Sequence, residues 1–337
     1  MHVPDGFFNA AVSISAGAVA AAGVAVCLRG ARRELDDRTA PMAGLVAAFI
    51  FAVQMLNFPV AGGTSGHLMG GALAAILVGP YTGVLCVTVV LLVQGLFFAD
   101  GGLTALGVNV VIMGIVTVLA GWGVFRLVTR LVKGRGGVSA GAFVAAVLSV
   151  PAAAMVFTLL FWIGGTAPID ITAVAAAMGG VHVLIGIGEG VITALTVGAV
   201  LAVRPDLVYG ARGQARPLEL RGAGGTSTVT AEPEAPVAAG PVISRPFVLG
   251  ALGLTLVLAG VVSFFASPDP DGLESVAGEQ GFLGRQADHL FGSFPLADYG
   301  EVGNIPVGIA GIIGVGLTLL VTAAIAYAAR ERRDARV

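Results

Sequence analysis

Charge is scarce in this chain, and lysine is nearly absent. Only 11% of its 337 residues are charged, and the single lysine is Lys133. A phosphate-binding Walker loop needs G-x-x-x-x-G-K-[ST]. Lys133 is followed by Gly134, so the chain cannot hydrolyse ATP through such a loop. Cysteine is equally sparse. Cys27 and Cys86 each lie inside an apolar run, where they read as small buried hydrophobes and not as a disulfide or a CxxC site. No basic residue precedes the first apolar run, so residues 1–8 do not read as a signal peptide. A net charge of -2 gives no electrostatic footprint for nucleic acid.

Apolar residues make up 56% of the chain, and its mean hydropathy is +0.94. That is the composition of an integral membrane protein. The 51 glycines suit helices packed closely in lipid. A spanning helix needs about 20 apolar residues. Candidate runs cover 9–28, 42–56, 67–79, 82–99, 103–128, 138–163 and 171–203, then 247–266 and 305–328. The expected fold is an all-α polytopic membrane protein, a seven-helix core followed by two C-terminal helices. The run 67–79 is short and reads as a half-helix or re-entrant segment, which survives at membrane depth only against protein or a cavity.

Three domains follow: a membrane domain over 1–205, a linker over 206–246, and a two-helix module over 247–337. The linker is polar and rich in Pro, Gly, Ala and Thr, and reads as flexible. Lys and Arg set orientation. With the N-terminus outside, every one of the 18 basic residues except Arg285 falls on the cytoplasmic side. Met1, His67 and the loop 267–304 then share the outer face, and the C-terminus is cytoplasmic.

A chain beginning Met1-His2 offers a metal three nitrogens: the α-amine of Met1, the amide nitrogen of His2, and the His2 imidazole. Amine and amide close a five-membered chelate ring, and amide and Nδ1 a six-membered one. One corner of the plane stays open, and His67 is a candidate to fill it. Planar nitrogen ligation suits Ni(II) or Cu(II). A disordered terminus is the ordinary alternative. Against it stand Pro4 and Asp5-Gly6, which make a turn. A bulky second residue also leaves the initiator Met in place. His67 follows the Gly-rich stretch Ala61-Gly62-Gly63-Thr64-Ser65-Gly66.

Ionisable groups inside spans are functional candidates. His182 and Glu189 stand seven apart in the run 171–203, hence on one helical face. For Glu189 a hydrogen-bonded structural carboxyl and a functional one stay equally open; for His182 the structural reading is favoured. Gln54, Asn57, Ser65, Gln94 and Asn109 lie near or within spans and are candidates to orient ligands or to tie helices together. The outer loop carries Asp269, Asp271, Glu274, Glu279, Asp288, Asp298 and Glu301 against Arg285, with His289 beside Asp288. These carboxylates read as solvated and too diffuse to hold the metal. The loop is expected to act on loading or on ordering the N-terminus.

Met1-His2-Val3-Pro4-Asp5-Gly6-Phe7 resembles the start of the CbiM/NikM family, the substrate-capture subunits of energy-coupling-factor ABC transporters for nickel and cobalt. Asn57-Phe58-Pro59-Val60, Gly63-Thr64-Ser65-Gly66-His67-Leu68, Gly79-Pro80 and Gly188-Glu189 are similar to further motifs of that family; Gly190, where alanine is expected, departs from it. Pro270-Asp271-Gly272-Leu273-Glu274 resembles the signature of the small PDGLE module. The resemblance implies Ni2+ or Co2+ as cargo, with cobalt destined for cobalamin biosynthesis, bound by Met1, His2 and His67. It also implies a transmembrane coupling subunit and cytosolic ATPases as partners, no enzyme activity in this chain, and a plasma-membrane location. Two other classes stay open on residues alone: an intramembrane metalloenzyme using His2, His67, His182 and Glu189, and an assembly subunit.

Overall fold

The computed structural model describes residues 1–36, 39–212, 220–222, 225–227 and 244–330. Within them the chain is built almost wholly of helices. Helix α1 (Ala10–Ala31) starts where the Asn9 side chain accepts from Val12 N–H at 3.0 Å. Helix α2 (Thr39–Gln54) leads into a hairpin of β1 (Phe58–Ala61) and β2 (Thr64–Gly66). Helices α3 (Gly71–Val78) and α4 (Pro80–Val93) meet at Gly79, and α4 ends in a π-helical turn, Gln94–Phe98. Helix α5 (Leu106–Asn109) runs through a π-helical stretch, Val110–Val116, into α6 (Thr117–Leu131). Two long helices follow, α7 (Gly134–Gly164) and α8 (Ile171–Val203). The C-terminal module has α9 (Arg245–Gly260), the short α10 (Gly272–Glu279) and α11 (Val307–Ala329).

Seven of these described helical stretches are long and apolar enough to cross a membrane, and α2 is a shorter apolar helix. Large apolar side chains such as Ile14, Trp162, Leu195 and Leu320 stand exposed, as lipid-facing residues do. The chain is a multi-pass membrane protein. Helices α6, α7 and α8 pack side by side, and α11 lies along α2 and α9. Contact between α2 and α11 is close because glycine faces it from both sides: a Cβ on Gly44 would meet Leu319 O at 3.1 Å, and one on Gly314 would strike Phe51.

The run 67–79 is not a full span. Only its eight residues Gly71–Val78 are helical, about 12 Å of rise against a hydrocarbon core of about 30 Å. Gly70, with φ of 84°, turns the chain into α3, a conformation L side chains resist. The four residues before α3 are fully enclosed by protein, and their backbone groups need partners there. Glu189 of α8 accepts from Met69 N–H at 2.6 Å and Gly70 N–H at 3.1 Å. The Gln54 amide donates to Met69 O at 3.0 Å. Two polar residues within the bundle thus satisfy a break in the helical ladder.

Most of the expected linker, 206–246, lies outside the described residues. Its first residues differ from the expectation. Short 3-10 turns at Pro205–Leu207 and Tyr209–Ala211 fold back on the bundle. Leu207 and Val208 are buried, and Tyr209 packs on Trp122. Apolar side chains at 207 and 208 bury surface that a solvated linker would expose.

Candidate metal centre

The N-terminus is a folded, buried segment. Met1 is 3% exposed and Val3 fully enclosed. Asn109 holds Val3 at both ends: its Oδ1 accepts from Val3 N–H at 2.8 Å and its Nδ2 donates to Val3 O at 3.0 Å. Gly102 N–H also donates to Val3 O, at 2.8 Å. The buried Asp5 carboxylate accepts from the backbone N–H of Leu103 and Thr104 and from the Thr104 hydroxyl. Further on, Thr166 N–H donates to Phe7 O at 3.0 Å. Each contact removes conformations from residues 1–8 and fixes where Met1 points.

That point is His67. The Met1 amine hydrogen-bonds His67 Nε2 directly. His67 Nδ1 lies 3.0 Å from Leu68 O. A carbonyl only accepts, so Nδ1 carries the proton and Nε2 presents its lone pair to the amine. The His2 and His67 rings lie face to face, 4.9 Å between centroids. Burial pushes the His2 imidazole down to about 4, against the pull of Asp100, so the ring is neutral near pH 7.

His2 sits in its own polar chain. Tyr299 donates its hydroxyl to Asp100 Oδ2, and Gln94 Nε2 donates to the Tyr299 oxygen at 3.1 Å. Burial, aided by Asp100, pushes the Tyr299 phenol well above its ordinary value, so it stays a donor. Gln94 Oε1 is then turned to His2 Nε2, at 3.2 Å. With Nε2 donating to Gln94, Nδ1 keeps a lone pair. It faces Asp100 Oδ1 at 3.2 Å. Two electron-rich atoms facing one another at that distance favour a cation beside them.

The remaining contact comes from the C-terminal module. Asp271 Oδ2 lies 2.9 Å from the Met1 nitrogen and 3.6 Å from His67 Nε2, and its side chain is only 13% exposed. Burial opposes its ionisation, but the Met1 ammonium holds its carboxyl well below the usual range. This carboxylate is neither solvated nor diffuse, which corrects the expectation for the outer loop at this one position. A cavity of about 530 Å³ opens from the site, lined in part by Asp5, Asp100, Asp271, Glu274, His289 and Asp298. No three His, Cys, Asp or Glu side chains among the described residues are grouped to hold a metal.

The cobalt-uptake substrate-specific transmembrane region, CbiM, matches residues 2–207, and the PDGLE domain matches 245–331. The chain belongs to the CbiM family. It is 41% identical to a putative metal transport protein of Haloquadratum walsbyi over 62% of this chain and 94% of that one. It is 32% identical to the fused nickel transport protein NikMN of Rhodobacter capsulatus over 94% of both chains. A cobalt transport protein CbiM of Geobacter sulfurreducens is 36% identical over 62% of this chain and 61% of its own. Among solved structures, a truncated transition metal transporter superposes with a TM-score of 0.52 at 28% identity, covering 60% of this chain and 99% of that one. This CbiM–PDGLE chain is a nickel or cobalt transport component.

The five letters of the PDGLE signature each have a structural task here. Pro270 O accepts from Ser65 N–H at 2.9 Å, bridging the module to β2. Asp271 Oδ1 caps α10, accepting from Leu273 N–H at 2.8 Å and Glu274 N–H at 2.9 Å. Glu274 returns the bond to Asp271 N–H, which makes a capping box. Gly272 lies against α8, where a Cβ would come within 2.6 Å of Ile185 Cδ1. Leu273 is buried.

The other sequence candidates divide. Gln94 touches His2, and Glu189 supports the segment that carries His67. Ser65 instead docks the module: its Oγ donates to Asp269 O at 2.7 Å. Asn57 contributes its carbonyl, which accepts from Ser267 N–H at 2.8 Å. His182 Nδ1 bonds Met178 O at 2.8 Å, and its Nε2 has no hydrogen-bond partner. His289 Nδ1 accepts from Phe291 N–H at 3.0 Å, so its proton is on Nε2 and no lone pair faces the cavity. Sequence reading missed Asp100 and Tyr299. A motif start such as Met-His shows neither, because both come from loops far along the chain.

Proposed function

We propose that this chain is the metal-capture component of an ATP-driven importer and that it binds Ni2+ or Co2+ as cargo through nitrogen. The ligands are the Met1 amine, the His2 amide nitrogen, His2 Nδ1 and His67 Nε2. The observation that carries this reading is the buried Met1 amine aimed at the lone pair of His67 Nε2. An ion entering there takes the place of the ammonium proton between the two nitrogens. Charge supports the exchange. A divalent ion enters while the ammonium and the amide each lose one proton, so the net charge of the buried site is unchanged. Four nitrogens in a plane leave no equatorial opening for a reacting water, which favours capture over catalysis.

Nickel is the favoured cargo. The Rhodobacter relative that matches both the membrane domain and the module is a nickel transport protein, and planar nitrogen ligation suits Ni(II). A coupling subunit and cytosolic ATPases supply the energy, since Lys133 cannot serve a Walker loop. The N-terminus and the site face outward, and the C-terminus lies in the cytoplasm.

Inserting one Ala between Met1 and His2 enlarges the chelate ring. That variant should insert into the membrane and fold, yet lose Ni(II) binding in a titration of the purified protein. Wild-type affinity in the insertion variant would rule out ligation by the terminal amine.

A further inference from the structure

Asp271 Oδ2 is the carboxylate oxygen that reaches the Met1 nitrogen, at 2.9 Å. The carboxylate cannot turn freely. Its other oxygen, Oδ1, is committed to the first turn of α10 through Leu273 N–H at 2.8 Å and Glu274 N–H at 2.9 Å. Its backbone is tied to β2, the strand that leads into His67: Ser65, two residues before His67, bonds Pro270 O through both its N–H and its hydroxyl. Gly272 seats the turn against Ile185 and Val181 of α8. Asp271 and His67 are thus held to one another by the same few contacts.

We infer that Asp271 completes the capture site from the C-terminal module, as the positioning residue of the terminal amine. The inference rests on the nitrogen-site reading above. The amine keeps two N–H bonds when it ligates, and before the chelate ring closes it is otherwise free to rotate about its Cα–N bond. Fixing one N–H on Asp271 Oδ2 points the lone pair at the ion. Asp271 is not itself a ligand. The four nitrogens of that reading already fill the plane, and Oδ2 stands 3.6 Å from His67 Nε2, beyond hydrogen-bond distance of it. Carboxylates that hold a ligating group typically contribute about 10–100-fold in metal affinity. Without its module the membrane domain would keep all four nitrogens but lose the carboxylate that fixes the amine.

The test is Ni(II) titration of the full-length purified protein, comparing wild type with D271N, E279Q and H67A. Asn is as good an N-cap as Asp, so D271N keeps α10 and removes only the acceptor at the amine. Expected for D271N are a 10–100-fold loss of affinity, an unchanged ligand-field absorption pattern of bound Ni(II), and an unchanged melting temperature. In metal-free D271N the Met1 amine should also react faster with an acylating reagent, a readout that needs no metal. E279Q, which removes an exposed carboxylate of α10 that does not line the cavity, should bind like the wild type. Wild-type affinity in D271N overturns the inference, as does a changed absorption pattern, which would make Asp271 a ligand. If H67A also binds like the wild type, the nitrogen-site reading itself is what fails.

Discussion

At the scale of single residues, the polar groups inside the bundle divide by what they satisfy. Glu189 serves backbone: it accepts from Met69 and Gly70 N–H, the two groups that precede α3. Those donors have no helical carbonyl to bond, and an unsatisfied buried N–H costs about 1–3 kcal/mol. Glu189→Leu should therefore destabilise the protein by about 2–6 kcal/mol, and Glu189→Gln, which keeps one acceptor oxygen, by less. Thermal melting in detergent reads the order of the two. Because His67 is two residues from Met69, both variants should also weaken Ni(II) binding. A Glu189→Leu protein as stable as the wild type would remove this role from the carboxylate. The sequence marks Glu189 as unusual, since a carboxyl in an apolar run is visible, but it does not say which backbone it meets. That depends on a break in helix over 67–70 contributed by a segment about 120 residues away.

At the scale of elements, the break before α3 was legible as a short, Gly-rich run, and the long helices follow directly from apolar length. Helix α8 has the bounds 171–203 that hydropathy assigns it. The docking of α10 was not legible as a site. Asp271-Gly272-Leu273-Glu274 does carry the spacing of a capping box, so a helix start could have been read there. What the spacing cannot tell is that the second oxygen of the cap faces Met1. The PDGLE resemblance marks Asp271 among the seven carboxylates of the loop, but nothing in the loop's composition says which of them meets Met1. The seat of the helix is testable through Gly272. A Cβ there would lie 2.6 Å from Ile185 Cδ1, 2.9 Å from Val181 Cγ1 and 3.2 Å from His182 Cε1. Gly272→Ala should push α10 off α8 at a cost of about 1–3 kcal/mol, and carry Asp271 away from Met1. Faster limited proteolysis of the loop 267–304, together with weaker Ni(II) binding, is the expected result. Unchanged proteolysis and affinity would mean that the side chains of α8 simply give way.

At the scale of the whole molecule, His2 and His67 line a cavity whose wall also carries Asp5, Asp100, Asp271, Glu274 and Asp298. The walls come from both domains, so the membrane domain and the module share one negative field. Such a field raises the local concentration of a divalent cation and speeds its arrival. Asp5 and Asp271 are committed to the hydrogen bonds and the ion pair described above, and Asp100 to Tyr299 and His2. Asp298 belongs to the wall without touching Met1, His2 or His67. Its backbone is left-handed, with φ of 48°, a conformation that Asn tolerates better than most residues. Asp298→Asn should therefore keep the loop's shape while removing one charge. Screening falls to about 8 Å at physiological salt, so the effect belongs to low ionic strength. Stopped-flow mixing of Ni(II) with the purified protein should show a slower association rate for Asp298→Asn in low salt. The difference should shrink as salt is added, and the dissociation rate should stay put. Burial, with Glu301 beside it, pushes the Asp298 carboxyl above its ordinary value. Its charge is present above that raised value and lost as pH falls through it. The wild-type advantage in association should fade on acidification in the same direction. An association rate equal to the wild type's in low salt at neutral pH would show that this carboxylate adds nothing to capture. The field would then be set by the committed carboxylates around the nitrogens.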